Sequence, residues 1–157
     1  MRIGGSFVYP PVYRKEEVKN LVLVAGGVGI NPFVSILGHL AHMDTWPERT
    51  SLLYGTKVPQ EGLESVLFYE RLRGLGKKLD MSVYAGSGAH LNDEGPVFKR
   101  RMTLEDVKSV ACDDEGKTRE ATVCYICGPK SMTDEFVAGI KDFEGMREED
   151  VLCEKWW

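Results

Sequence analysis

A chain of 157 residues with 43% apolar and 28% charged side chains has the size and composition of one globular domain with its own core. No apolar run approaches the roughly 20 residues that cross a bilayer as a helix, which argues against membrane insertion. A net charge of −4 offers no basic surface to displace the counterions of a nucleic acid, so nucleic acid is not the expected partner.

The opening Ile3-Gly4-Gly5-Ser6-Phe7-Val8-Tyr9 reads as structured chain, with neither the Arg-rich character nor the apolar core of a targeting leader. Next comes Leu21-Val22-Leu23-Val24, expected as a strand through Ala25, which runs directly into Gly26-Gly27-Val28-Gly29-Ile30-Asn31-Pro32. Glycine reaches positive φ and carries no Cβ, so backbone there can close on a diphosphate while the amides opening a helix point at it. Pro32 suits the first turn of that helix, expected over 32–43, because its missing N–H would be unpaired there anyway. The spacing is Gly-x-Gly-x-x-Pro rather than Gly-x-Gly-x-x-Gly, so the motifs around it decide its meaning. His39 and His42 fall on the same helix and are expected to face solvent.

Further on, periodicity predicts a strand over 51–54, a helix over 61–75 and a strand over 79–84, followed by a loop over 85–101. That loop ends in Lys99-Arg100-Arg101, which could attract phosphates but is read in preference as a solvated charge run. Thr103 and Asp106 have the spacing of a capping box opening a helix to about Val110, and Asp113–Lys117 reads as an exposed turn. A strand over 121–127, a helix over 131–143 and a short strand over 151–153 complete the chain. Five strands thus alternate with helices, and the runs 21–25 and 122–127 are apolar enough to be covered on both faces. The expected fold is α/β, a doubly wound five-stranded parallel sheet flanked by helices. Ligands of such sheets bind beyond the carboxyl ends of the strands, which brings the glycine loop and Cys127-Gly128-Pro129 to one crevice.

Four cysteines at irregular spacing, Cys112, Cys124, Cys127 and Cys153, do not make a disulfide framework and fit a reducing compartment. Cys124 and Cys127 form a C-x-x-C, but on a strand residues three apart face opposite ways, so no metal or dithiol site is expected. His90 lies in a loop, and neither a Ser-His-Asp set nor a Walker lysine supports hydrolysis or phosphoryl transfer. A dehydrogenase acting alone would lack a general base.

Gly-Gly-Val-Gly-Ile-Asn-Pro (26–32), Leu-Leu-Tyr-Gly-Thr-Lys (52–57), Cys-Gly-Pro (127–129) and the terminal Glu154-Lys155-Trp156-Trp157 together resemble the nicotinamide-binding domain of the ferredoxin–NADP reductase superfamily. The resemblance spans nearly the whole chain and implies strand order 3-2-1-4-5, with residues 1–18 as a connector from a flavin-binding barrel and 19–157 as the nucleotide domain. It implies that Gly26, Gly27, Val28, Gly29, Ile30, Asn31 and Pro32 hold the diphosphate and approach the nicotinamide. Gly55, Thr56 and Lys57 take the position that reads the adenosine ribose. Because Lys57 stands where NADP-specific relatives carry an arginine fork, the implied cofactor is NAD(H) in preference to NADP(H). Phe68 aligns with an adenine-stacking aromatic, with Tyr69 the next candidate; packing a helix onto the sheet is the equal alternative. The resemblance also implies that Cys127, followed by Gly128 and Pro129, meets the nicotinamide, that Glu154 stabilises the positive charge developing on it, and that Trp156 stacks on the flavin.

The barrel and its Arg-x-Tyr-Ser or Arg-x-Tyr-Thr flavin motif are not found in these residues. FAD is therefore expected only through another domain or a partner chain, and these residues alone are expected to bind nucleotide without turnover. A non-catalytic nucleotide sensor or scaffold is the alternative reading. The resemblance implies a mitochondrial address, with the cytoplasm otherwise, and the electron acceptor stays open.

Overall fold

The run Leu21–Val24 belongs to the most enclosed strand of the molecule, and the reason is its place in the sheet. The structure is a computed structural model that describes residues 7–86 and 97–156. In it β1 (Asn20–Gly26), buried at every position, pairs in parallel with β2 (Arg49–Thr56) on one side and β5 (Thr122–Pro129) on the other. β3 (Asp80–Ala85) lies outside β2, β4 (Val97–Phe98) outside β3, and β6 (Val151–Trp156) outside β5. The order is β4-β3-β2-β1-β5-β6, all parallel. The five longer strands therefore run in the expected order, and the sixth is a two-residue edge too short to show any alternation in sequence.

Side chains leave alternate faces of these strands into two cores. Leu21, Leu23 and Ala25 of β1 join one core, with α1 (Asn31–Met43), α2 (Tyr69–Arg73) and the segment before β1. Val22 and Val24 join the other, beneath α3 (Leu104–Ala111) and α4 (Lys130–Lys141). The same alternation along β5 sends Cys127 to the first core and Cys124 to the second. Among the described residues no helix is long and apolar enough to cross a membrane.

The helix expected over 61–75 is corrected. It divides into a 3-10 turn (Leu63–Ser65), the five-residue α2 and a second 3-10 turn (Gly76–Lys78). Gly62 at φ +103° and Phe68 at φ +63° take left-handed conformations that a continuous helix does not tolerate. Val66, Tyr69 and Leu72 still face the core, and their spacing of three mimics a helical stripe.

The segment before β1 is held in two places. Phe7 stacks on Phe33 of α1 at 6.0 Å and meets Tyr125 edge-on at 5.2 Å, while the Tyr125 hydroxyl donates to the Val8 carbonyl at 2.7 Å. Beyond it, Arg14 pairs with Asp150 at 3.1 Å. Asp150 also accepts from Arg147 at 2.8 Å and from the Tyr13 hydroxyl at 3.2 Å.

The capping box at α3 forms with Asp106 in the third helical position, accepting from the Thr103 amide at 2.7 Å. Both carboxylate oxygens also accept from Arg100 at 2.7 Å, and chiefly this pairing holds the Asp106 carboxyl well below the usual carboxylate range. Replacing Asp106 with alanine is expected to cost about 1 kcal/mol at neutral pH. Because the folded value lies below the unfolded one of about 3.9, this contribution is complete above that pH and declines as pH falls through the folded value. Thermal unfolding of parent and variant should show a gap that begins to narrow below about pH 4; a gap independent of pH would refute the ionic origin.

Candidate functional site

β1 delivers Gly26 to the carboxyl edge of the sheet at its switch point, where strand order runs away toward β2 on one side and β5 on the other. A 3-10 turn (Gly27–Ile30) follows, and α1 begins at Asn31, whose side-chain amide donates back to the Val28 carbonyl at 2.9 Å. Gly27 sits at φ +54°, a conformation that glycine alone takes without cost. A Cβ on Gly29 would stand 2.1 Å from the carbonyl oxygen of Cys127, and one on Gly128 2.4 Å from the methyl of Met132. The two sequence-distant motifs thus lie backbone against backbone. Gly29 and Gly128 are small to let the strand ends touch, whereas Gly27 stays open toward the space above.

That space is a cleft of about 780 Å³ beyond the carboxyl ends of the strands. The glycine loop contributes Gly26 and Gly27, β2 and its exit contribute Gly55, Thr56 and Lys57, and Pro129 and Trp156 close it on the β5–β6 side. These seven are residues expected from the sequence. The others stand elsewhere: Val28 is at the loop tip, 53% exposed; Gly29 and Ile30 are buried beneath; Asn31 and Pro32 open α1. Phe68 packs half-buried against the first core and does not line the cleft, nor does Tyr69, which is buried in that core. Trp157 and His90 lie outside the described residues. His39 is half-buried and His42 exposed on α1, away from the cleft.

Cys127, Gly128 and Glu154 adjoin the cleft without lining it. The β5–β6 register sets Cys127 opposite Glu154 and Pro129 opposite Trp156, and in a parallel pair such partners share a face. Burial, with the Glu154 carboxylate and Cys153 adding to it, pushes the Cys127 thiol up to about 11, so it stays protonated at neutral pH. Trp156 lies over Gly27, its ring 3.5 Å from where a Cβ there would stand, and its buried indole N–H has no hydrogen-bond partner among the described residues.

Several walls of the cleft were not identified from the sequence: Tyr84 at the end of β3, Met102 before α3, and Ser131, Met132 and Glu135 on α4; Arg101, from the run weighed as a phosphate attractor, lines it too. The strand-end rule could have found Tyr84. Met132 reads as part of an apolar helical face, and the sequence does not say which cation of the Lys99–Arg101 run faces the cleft. Among the described residues no group of three metal-ligating side chains occurs. The result is an elongated cleft with cations and a hydroxyl toward one end, a glycine cradle in the middle, and an indole at the other with a neutral thiol and a carboxylate beside it. Such a site fits an elongated molecule with an anionic centre.

Comparison with known proteins agrees with this geometry. "Oxidoreductase NAD-binding domain-containing protein 1" of Bos taurus is 32% identical over 173 residues, covering 100% of this chain and 52% of that protein. The chain spans about half the length of the curated relatives it matches first. Among solved structures, the CS-b5R domains of human Ncb5or in an NAD+ form align with a TM-score of 0.66 at 20% identity, over 87% of this chain and 36% of that one. A ferredoxin NADP+ reductase from Neisseria gonorrhoeae with bound FAD and NADP aligns with a TM-score of 0.60 at 20% identity, over 88% of this chain and 56% of that one. The shared fold is the nucleotide-binding domain of ferredoxin reductases. Residues 23–137 match the model of the oxidoreductase NAD-binding domain, and the chain belongs to that family.

Proposed function

We propose that this chain is the NAD(P)H-binding half of a flavin-dependent oxidoreductase, with residues 1–18 as connector and 19–157 as the nucleotide domain, taking NAD(H) in preference to NADP(H). FAD, held by a flavin-binding barrel in the same polypeptide or a partner chain, would supply the two-electron acceptor for the hydride. The observation that carries the reading is the pairing of Cys127 with Glu154 and of Pro129 with Trp156, beside a glycine loop seated on the Cys127 backbone. The loop and the amides opening α1 hold the diphosphate, with Val28, Ile30, Asn31 and Pro32 shaping the turn around Gly26, Gly27 and Gly29. Thr56 and Lys57, after Gly55, take the adenosine end. The neutral Cys127 thiol, on the strand that ends in Gly128 and Pro129, guides the nicotinamide without repelling a hydride, and Glu154 stabilises the positive ring formed as it leaves. Trp156 offers its ring to the flavin side. Phe68 would reach adenine only if its segment moved. The resemblance also carries a mitochondrial address into the proposal, which subcellular fractionation tests.

Calorimetric titration of the chain with NADH and NADPH tests the core of this reading. Saturable one-to-one binding of NADH is expected, weakened about tenfold or more in Gly27→Ala, where a Cβ would strain the left-handed turn and narrow the space beneath Trp156. Preference for NADPH would reverse the cofactor choice, and binding of neither would refute the reading.

A further inference from the structure

Two neighbouring arginines, alike in sequence, have different surroundings. Arg100 is engaged: it donates to both oxygens of Asp106 at 2.7 Å and to the carbonyl of Arg101 at 3.0 Å, and its guanidinium lies 5.3 Å from the ring centre of Tyr84. Asp106 in turn accepts from the Thr103 amide at 2.7 Å. The backbone between is therefore held at the Arg101 carbonyl and again at the Thr103 amide. This short stretch lies over the end of β2, with the Met102 methyl 3.5 Å from where a Cβ on Gly55 would stand.

Arg101, exposed, has no carboxylate partner among the described residues, and neither does Lys57, which lines the same cleft. The lining carboxylate among the described residues is Glu135, across the cleft on α4. Two cations facing one cavity without counter-ions repel each other unless an anion enters between them. A guanidinium on a fixed backbone presents a planar fork that matches two oxygens of a phosphate, where the neighbouring ammonium acts as a point charge.

We propose that Arg101 is a phosphate-binding residue of the dinucleotide, reaching the cleft over Gly55 with Lys57 as second cation and its backbone positioned by the Arg100–Asp106 pair. This rests on the nucleotide reading above. The phosphate is either the diphosphate common to both cofactors or the 2′-phosphate of NADP(H).

The test is calorimetric titration of the parent, Arg101→Ala, Arg101→Lys and the control Arg49→Ala with NADH and with NADPH at two salt concentrations. Arg49 carries the same charge at the opposite end of β2, so its loss should leave binding unchanged. Arg101→Ala is expected to weaken binding by about tenfold or more and to flatten its salt dependence, with partial recovery in Arg101→Lys. Equal weakening for both nucleotides assigns the diphosphate; weakening for NADPH alone assigns the 2′-phosphate. The side chain is exposed and has no ion pair among the described residues, so the variant should fold, and thermal unfolding verifies that. Parent-like binding by Arg101→Ala, or an equal loss in Arg49→Ala, overturns the proposal. A parent that binds neither nucleotide overturns the underlying reading, and the proposal with it.

Discussion

Gly29→Ala is expected to destabilise the protein by about 3 kcal/mol or to prevent folding, although it adds a single methyl group. The added carbon would lie 2.1 Å from the carbonyl oxygen of Cys127, 2.5 Å from its carbonyl carbon and 3.0 Å from the amide nitrogen of Gly128. All three are main-chain atoms of β5, which is buried and paired on both sides, so no side chain can rotate away. Relief requires separating the glycine loop from the strand end, which breaks the floor of the cleft as well. Urea unfolding should show a midpoint far below that of Gly27→Ala. In that variant the nearest atom to a new Cβ is the Trp156 ring at 3.5 Å, and the main cost is a left-handed φ of about 1 kcal/mol. The pair separates two uses of glycine: position 29 for packing, position 27 for conformation and access. Equal midpoints for the two variants would contradict this division.

The second large effect is expected at Asp150, well away from the cleft. Its side chain is 5% exposed and that of its partner Arg14 3% exposed. Removing the carboxylate in Asp150→Ala leaves the buried Arg14 guanidinium with only the exposed Glu16 carboxylate, at 3.8 Å, as a charge partner, a loss of about 3 kcal/mol. Arg14 Nε already lacks a hydrogen-bond partner among the described residues, and what remains to the guanidinium is a long contact to the Thr122 carbonyl at 3.4 Å and the exposed Glu16. Asp150 stands immediately before β6, the strand that carries Glu154 and Trp156. Loosening it should release the segment before β1 and the lower end of β6 together. Chemical unfolding of Asp150→Ala, Arg14→Ala and the double variant checks this through a strongly non-additive cycle. Losses below 1 kcal/mol that simply add would mean the pair behaves like solvated surface charges.

How far the site was legible depends on the kind of signal each residue leaves. The glycine loop announces itself because conformational range and the missing Cβ are local properties: Gly27 can take its positive φ at no steric cost. Apolar runs announce buried strands, and capping chemistry announced the start of α3 at Thr103. Residues 61–75 misled because 3-10 turns around a short helix also bury residues three apart, and the sequence carries no mark that Phe68 will take a left-handed turn. Tyr84, Arg101 and Met132 enter the cleft from three separate elements, and what each offers in sequence, a strand end, a charge run and an apolar helical face, does not say that the three meet.

From sequence alone follow the alternation of strands and helices, the parallel sheet covered on both faces, the tight Cβ-free turn of the glycine loop and the separation of Cys124 from Cys127. Each depends on periodicity or on a single residue's conformational range, and both are carried within a few positions of the chain. Tertiary structure alone decided that Gly29 rests on the backbone of Cys127 and that Cys127 stands opposite Glu154. It also decided that, of two adjacent arginines, one is tied down by Asp106 while the other faces the cleft. These depend on register and on contacts between distant segments, where one residue of slip would turn every side chain to the other face.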